Sequence, residues 1–548
     1  MRKDICKILC GHKFFFALIA ILTQLQVSAQ ITVGLINQSE EAFDGYTLIA
    51  PMRSSNIYLI DNCGEIVHLW QSQYQNATVA YMLEDGSLIR SYAVPGSFSG
   101  GGITGGIEHV DWESNVIWDY EYTSNDYHHH HDFEVLPNGN ILILAWERKG
   151  AFQATQAGRV GNIPSSGVWP EQIVEVVPAE NNSAEIVWEW HLWDHLIQDV
   201  DPSLPNYGDI AENPQRFNIN FGPAQSDWIH ANSIDYNPAR DEIIVSSRNF
   251  DEFWIIDHST TTEEAAGTEG GNSGKGGDIL YRWGNPSTYG LGSLGQQFLS
   301  GQHDAHWIEE GKPFENHIMV FNNRQGNNQS SVLIIDPPLD GDGNYIMEAE
   351  NVTGPEEPTL LIDGGDNNGF DADRISGAQM LNNGNILVCE GTEGRLLELD
   401  SDNHNNWEYI NPQGSGIFEQ GQQASGNTLF RAYRYSRYHP AFENRDLSPQ
   451  GPIELNPIDT DCMLYTSTLN QAFDKTLVYY DGQNIIIEQD RGSEMFVELL
   501  NGQAQLLIKD EIKAEEDRLE MESLNSGIYF VRLSNKAGQY SLKKLFIY

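Results

Sequence analysis

The stretch that decides the fold is His128-His129-His130-His131-Asp132-Phe133-Glu134-Val135-Leu136-Pro137-Asn138-Gly139-Asn140-Ile141-Leu142. Its second half is an apolar residue, an Asn-Gly turn and an apolar strand, the pattern of a tight β-hairpin. The same phrase returns at Leu83-Glu84-Asp85-Gly86-Ser87-Leu88 and at Leu381-Asn382-Asn383-Gly384-Asn385-Ile386-Leu387. A second phrase, a strand ending in an aromatic residue, recurs at Ile66–Trp70, Val116–Tyr120, Ile186–Trp190, Ile279–Trp283 and Trp407–Tyr409. Each pair of phrases describes one small antiparallel sheet. Units are expected at residues 45–73, 78–124, 128–196, 228–286, 301–354 and 375–412. Repeats of this size with several strands apiece are the signature of a propeller. The chain is therefore read as all-β, a six-bladed β-propeller over residues 30–460 followed by a small β-sandwich over 470–548.

The histidines follow the same register. His130, His230 and His303 each lie five or six residues before the apolar residue that leads into a turn. If the first strand of every unit is the innermost, all three face one rim of the ring. Within the second segment, the turn signal Asn237-Pro238-Ala239-Arg240-Asp241 centres near Ala239, nine residues from both His230 and Arg248. Equal antiparallel arms finish side by side, so Arg248 is expected next to His230. In the four-histidine run, alignment with His230 favours His130 and alignment with His303 favours His131. Long loops such as Gly267–Gly277 are expected around the working mouth.

Composition bounds the function. The sequence has 548 residues, 51 glycines and a formal charge of −47, which becomes −50 once residues 1–29 are removed. Phosphate binding needs clustered positive charge, so a nucleic-acid role is excluded. Residues 1–29 read as a signal peptide: Arg2, Lys3, Lys7 and Lys13, then an apolar run from Phe14 to Leu22, then Val27-Ser28-Ala29. No later apolar run is long enough for a transmembrane segment. Cys63, Cys389 and Cys462 remain, leaving open three pairings or three buried thiols. A bridge from Cys63 to either later cysteine would tie early sequence to late.

Beyond residue 470, Met495–Leu500, the polar stretch 513–520, Leu524–Leu533 and Lys543-Lys544 give the terminal sandwich. This tail resembles the C-terminal sorting domain of the type IX secretion system of Bacteroidota. The resemblance implies an address read by that machinery, with secretion or surface attachment.

Residues 45–412 resemble the arylsulfate sulfotransferase family. The phrases that carry it are His-His-Asp before Leu136–Asn140, His230-Ala231-Asn232-Ser233-Ile234 continuing to Ser246-Ser247-Arg248, Tyr281–Pro286, Gln302-His303-Asp304 and Ser376–Gln379. The resemblance implies a six-bladed propeller that moves a sulfuryl group from an aryl sulfate donor to a phenolic acceptor. No cofactor is implied, and the histidine transiently sulfated maps to His303. Sulfuryl transfer, like phosphoryl transfer, is catalysed mainly by positioning and charge stabilisation. Neutral imidazole suits attack on sulfur, and a guanidinium such as Arg248 suits sulfate oxygens. His230 and either His130 or His131 are candidates to hold oxygens or protonate the leaving phenolate. Asn232 is a further candidate donor, and Trp228 and Trp307 are candidate aryl platforms, with Trp283 considered beside them. His306 is read as packing. Enzymes of this type carry a separate amino-terminal β domain linked to dimerisation, which the early start of the repeats departs from. The oligomeric state is not carried over.

Two other readings compete. The histidine cluster could hold a transition metal for hydrolase or lyase chemistry. Alternatively, the propeller could be a non-catalytic surface module binding glycans or sulfated polymers. The run Asp340-Gly341-Asp342-Gly343-Asn344 imitates the start of a calcium loop but lacks its later ligands, and is read as an acidic surface loop.

Overall fold

In a computed structural model, the described residues are 32–325, 329–348, 350–458 and 462, together with the tail strands between 476 and 547. The expected signal peptide lies outside them. The chain forms two compact units, residues 1–463 and 464–548. No helix among the described residues is long and apolar enough to cross a membrane.

The first unit contains six four-stranded antiparallel sheets, one of them with an added fifth strand. Blade 2 runs Asn76–Met82, Leu88–Ala93, Gly105–Val110 and Val116–Glu121. Blade 3 runs Tyr127–Val135, Ile141–Glu147, Glu171–Ala179 and Ser183–His191. Blade 4 runs Ala231–Asn237, Glu242–Ser247, Glu252–Asp257 and Tyr281–Trp283, and blade 5 runs from His303–Trp307 to Leu360–Ile362. Blade 6 runs from Gly377–Met380 to Asn405–Ile410. Blade 1 is assembled differently from expectation. Its three sequential strands, Gly45–Pro51, Asn56–Ile60 and Ile66–Gln71, take their inner strand from Leu429–Ser436. The first strand of the first repeat unit is therefore not innermost. At the other end of the chain, Gly34–Gln38 pairs with Asn405–Ile410 as the outer fifth strand of blade 6.

The hairpin phrases fold alike. Leu136 N–H donates to Asn140 O, Gly139 N–H donates to Leu136 O, and Asn138 Oδ1 accepts from the Asn140 N–H. The same three bonds form at Leu83–Ser87 and Leu381–Asn385. Gly139 takes φ 85°, which explains the glycine of the phrase.

Each blade lies between two others, so its strands are apolar on both faces. Leu142 and Leu144 pack with Ile243 and Val245 of blade 4. Their neighbours Ile141 and Ile143 turn the other way, to Val79 and Ile107 of blade 2. Similar clusters fill the gaps between blades 4 and 5, 5 and 6, 6 and 1, and 1 and 2, closing the ring. The aromatic phrase stitches the outside. Trp118 donates its indole N–H to Ser183 O, Trp188 to Thr260 Oγ1 and Trp407 to Asn62 O, each on the following blade.

Cys63 and Cys462 form the disulfide, and Cys389 is a buried thiol in blade 6. The tail unit has a three-stranded sheet (Thr476–Tyr480, Asn484–Gln489, Glu516–Glu520) and a four-stranded sheet (Met495–Asn501, Leu506–Ile512, Gly527–Ser534, Tyr540–Ile547). Ile485 and Ile487 of the first pack against Val497, Leu499, Val531 and Leu533 of the second, a β-sandwich.

A disulfide closing so long a loop restricts the unfolded chain strongly. Cys63→Ser is expected to lower unfolding stability by about 2–5 kcal/mol in non-reducing denaturant titrations. Cys389 should stay unreactive to thiol reagents until the propeller unfolds.

Candidate active site at one rim of the ring

Inner strands start at one rim, and second strands return to it, so rim residues come from both. Bulges re-aim side chains here. The pairing of Tyr127–Val135 with Ile141–Glu147 shifts between His129 and Phe133, that of Ala231–Asn237 with Glu242–Ser247 shifts at Asn232, and that of His303–Trp307 with Ile318–Gln325 shifts between His303 and His306. His131 (φ 55°), His230 (φ 53°) and Asp304 (φ 61°) all take left-handed backbone. So do Ile375 (φ 49°) and Ser376 (φ 86°), just before the inner strand of blade 6. Non-glycine residues held there cost energy and cluster at functional sites.

His303 is the most tightly specified. Its Nδ1 lies 2.7 Å from Asn323 Oδ1 and 3.1 Å from Gly301 O. Asn323 donates its amide to Ala372 O and Ile375 O, so its oxygen must be the group facing His303. Nδ1 therefore carries the hydrogen. Nε2 is the lone-pair nitrogen, and it accepts from Ile375 N–H at 3.2 Å. Burial pushes the imidazole down to about 3, with the charges of His230, Arg248 and Arg431 acting the same way. Its neighbours clamp it: Gln302 donates to Ser246, Ser247 and Glu252 of blade 4, while Asp304 Oδ2 accepts from Ala378 N–H of blade 6.

His230 donates from Nδ1 to Asp227 Oδ2 at 2.5 Å, and Trp146 holds the other Asp227 oxygen at 3.1 Å. Arg248 N–H bonds His230 O at 3.0 Å, as the hairpin count expects. Two offsets cancel to give that result. The turn pairs Asn237 with Glu242, which moves the centre half a residue along, and the Asn232 bulge moves it back.

The four histidines separate. His128 faces Thr123 and Thr104, and His129 points back to Asp132 O. His130 stacks on Trp146 at 4.1 Å and is bonded at both nitrogens, Nε2 to Glu171 Oε2 and Nδ1 to His131 Nδ1, each at 2.8 Å. His131 meets His230 edge to face, with ring centroids 4.7 Å apart. Its Nε2 makes no hydrogen bond among the described residues. His131, not His130, shares the space with His230. Burial holds His130 and His131 well below the usual imidazole range, and it holds the Glu171 carboxyl well above the carboxylate range. The Glu171–His130 contact is thus a neutral O–H···N bond.

Gly100, Gly101 and Gly102 cover these rings. A Cβ on Gly102 would sit 2.1 Å from His131 Nε2, and one on Gly101 would sit 3.0 Å from His230 Cε1. Glycine here lets the backbone pack directly against both imidazoles, where any side chain would collide with them.

Beneath them lies Arg431, from the closing strand, 7 % exposed. Its Nη1 reaches Asp132 Oδ2 at 2.7 Å, its Nε lies 2.9 Å from Asp304 Oδ1, and its Nη2 donates to Asn232 O at 3.1 Å. Asp132 also accepts from Tyr81 O–H and Ile234 N–H. With Asp304 bonded to Ala378, one ion cluster touches the inner strands of all six blades. Sequence reasoning missed Arg431, Asp227, Glu171 and Asn323. The available signal for Arg431 was a lone cation in the apolar run Leu429–Tyr433, matching two aspartates that each follow a site histidine.

Other expectations are corrected. Trp228 is fully buried, donates to Phe221 O and belongs to the core between blades 3 and 4, so it offers no face to a substrate. Trp307 and Trp283 are core between blades 4 and 5. Asn232 is fully buried and donates to Gln302 O at 2.7 Å, a tie between blades 4 and 5. His306 turns Nδ1 to Asp304 O. The loop containing Gly267–Gly277 follows the third strand of blade 4, whose end meets the Asn237–Asp241 turn through His258 and Asp241. It lies on the face opposite the histidines. A cavity of about 550 Å³ lined by Arg240, Asp257, Lys275, Asp340 and Asp342 also sits at that turn end. Within it, Asp340 accepts from Asp342 N–H and Asn344 N–H as a self-bonded turn. Among the described residues, no three His, Cys, Asp or Glu side chains are grouped to hold a metal ion.

Fold and rim together define an all-β propeller with a buried imidazole and guanidinium site. Residues 33–338 match the arylsulfotransferase (ASST) family model, and the chain belongs to that family. Residues 482–548 match the secretion system C-terminal sorting domain, which implies export by the type IX secretion system. No curated protein matches the chain. Among solved structures, a Bacteroides caccae protein of unknown function is similar at 12 % identity and TM-score 0.36, covering 67 % of this chain and 93 % of its own. The Pseudomonas aeruginosa periplasmic gluconolactonase PpgL is similar at 11 % and 0.36, covering 67 % and 96 %. The Myceliophteria thermophila Cps50 (Swd1) β-propeller domain is similar at 9 % and 0.34, covering 70 % and 90 %.

Arg431→Met removes the one cation between two buried carboxylates. It is expected to cost about 3–5 kcal/mol of stability in chemical denaturation, more than any other single rim substitution.

Proposed function

We propose that the protein is an exported aryl-sulfate sulfotransferase working by two displacements through a sulfohistidine at His303. The observation that carries this reading is the fixed tautomer of His303: Nδ1–H is committed to Asn323 and Gly301, so the lone pair is on Nε2, which gives up its bond from Ile375 N–H as it attacks sulfur. In the first displacement, the Nε2 lone pair forms the N–S bond while the S–O bond to the aryl group breaks. The departing phenolate takes a proton from the rim. In the second, the oxygen of a phenolic acceptor attacks the same sulfur, the N–S bond breaks, and the acceptor gives up its proton. Charge spreads over the sulfuryl oxygens in both steps. Arg248, whose charge already reaches His303, and His230, oriented by Asp227, supply the donors for it. Export by the sorting tail places this chemistry at the cell surface or outside the cell.

The metal and glycan readings gain no specific observation. The nitrogens Nδ1 of His303, Nδ1 of His230 and both of His130 are engaged in hydrogen bonds.

Incubated with 4-nitrophenyl sulfate alone, the mature protein is expected to release one equivalent of nitrophenol and gain a sulfuryl group on His303, seen by mass spectrometry. His303→Ala should lose both, by at least about 1,000-fold in rate. Turnover persisting in that variant would remove His303 from the nucleophile role. Because burial lowers the His303 pKa, the neutral form persists as pH falls. The kcat/KM for donor should hold between pH 7 and pH 5, where an ordinary imidazole would protonate and lose rate.

A further inference from the structure

Three side chains on blade 3 form an unbroken line from the core to the rim. Glu171 Oε2 lies 2.8 Å from His130 Nε2, and His130 Nδ1 lies 2.8 Å from His131 Nδ1. His131 Nε2, the far end, is the nitrogen left without a partner among the described residues, and it lies against Gly102, where the absence of a side chain leaves room for the ring. We propose that Glu171 and His130 are a proton relay that lets His131 act as both the acid and the base of the transfer reaction, with Glu171 holding the proton between the two displacements. This rests on the transferase reading above.

The direction of the resting relay follows from its termini. Glu171 is fully buried, its Oε1 accepts from Ala231 N–H at 2.9 Å, and the charges of Asp227 and His230 reach it. Burial away from water disfavours a carboxylate here, and the charge of Asp227 acts the same way, so the carboxyl keeps its proton and donates it to His130 Nε2. His130 is then protonated at Nδ1 and donates to His131 Nδ1. His131 in turn carries its hydrogen on Nε2, the end of the line at the rim. His131 faces His230, His303 and Arg431 as well as His130, all of which oppose an imidazolium there. Loss of the Nε2 proton alone would leave an imidazolate, and prior gain at Nδ1 would make that imidazolium, so the proton leaving Nε2 is replaced at Nδ1 in the same event.

The balance closes. As the S–O bond breaks, the phenolate oxygen takes the Nε2 proton of His131, His131 Nδ1 takes the Nδ1 proton of His130, and His130 Nε2 takes the proton of Glu171. One proton has left Glu171 and one phenol has formed. The new N–S bond leaves the His303 ring positive and its sulfuryl group negative, and the Glu171 carboxylate carries the charge that the donor brought in. That carboxylate is held by Ala231 N–H and His130 Nε2–H. When an acceptor phenol attacks, it gives its proton to His131 Nε2 and every hydrogen shifts back. Glu171 and His130 never touch the substrate, and they act through His131. The geometry also accounts for Trp146, which stacks on His130 and keeps its ring in the line of transfer while bonding Asp227.

The test uses the mature full-length protein and two donors. The phenolate of 4-nitrophenyl sulfate leaves with little help, whereas that of phenyl sulfate needs a proton. Glu171→Gln keeps a hydrogen-bonding group of the same size beside His130 but has no proton to give. The ratio of kcat/KM for 4-nitrophenyl sulfate over phenyl sulfate is expected to rise about 100-fold in this variant. An unchanged ratio, with both donors slowed alike, overturns the relay and leaves the transferase reading standing. Wild-type protein inactive on both donors would remove the transferase reading and the relay with it. A second measurement needs no variant: the wild-type rate on phenyl sulfate in mixtures of light and heavy water. Several protons in flight give a curved dependence on deuterium fraction, and a straight line overturns the proposal.

Discussion

The rest of the structure depends on the ion cluster of Arg431 with Asp132 and Asp304. A buried guanidinium and two buried carboxylates are costly to desolvate and hold together only when nearly every donor and acceptor is met. Here the acceptors are met by backbone N–H groups and a tyrosine drawn from several blades, so the cluster can exist only when the inner strands stand in their final places. Each aspartate directly follows a site histidine. Fixing Asp132 and Asp304 therefore fixes the backbone that aims His131 and His303. The bulges and left-handed residues at the rim are strained locally, and this cluster is what holds them.

Electrostatics follows from the same arrangement. Imidazoles packed together around two arginines and away from water cannot all be charged, and burial drives His129, His130, His131 and His303 to the neutral form. The rim of an acidic protein is thus lined by neutral imidazoles, and the charge of Arg431 beneath them is answered by Asp132 and Asp304.

The repeat pattern was legible because hairpin chemistry and two-sided apolar strands leave a direct trace in sequence. Asn138-Gly139 and its two echoes form the same turn, and the aromatic phrases supply tryptophans that reach the next blade. The rim was legible only in part. A strand alternates its side chains, so the four-histidine run gave no decision between His130 and His131 until the bulge showed that they turn to different partners. Trp228 and Trp307 were misread because tryptophan serves equally as core and as platform, and sequence does not report burial. Arg431 and Glu171 were missed for another reason. They lie far along the chain from the histidines they serve, Arg431 in a strand that follows the last unit of the repeat.

That strand gives ring closure a meaning beyond fastening. Leu429–Ser436 is at once the inner strand of blade 1 and the carrier of the central guanidinium, so the sheet that begins first in the chain is completed almost last. A chain threading through a membrane amino terminus first can build blades 2 to 6 in turn. Its two site aspartates would nevertheless face each other without a cation until the final strand arrives. Completion of the rim is in this way tied to arrival of nearly the whole propeller, and a truncated molecule that lacks this strand carries every rim histidine without the charge that sets them in place.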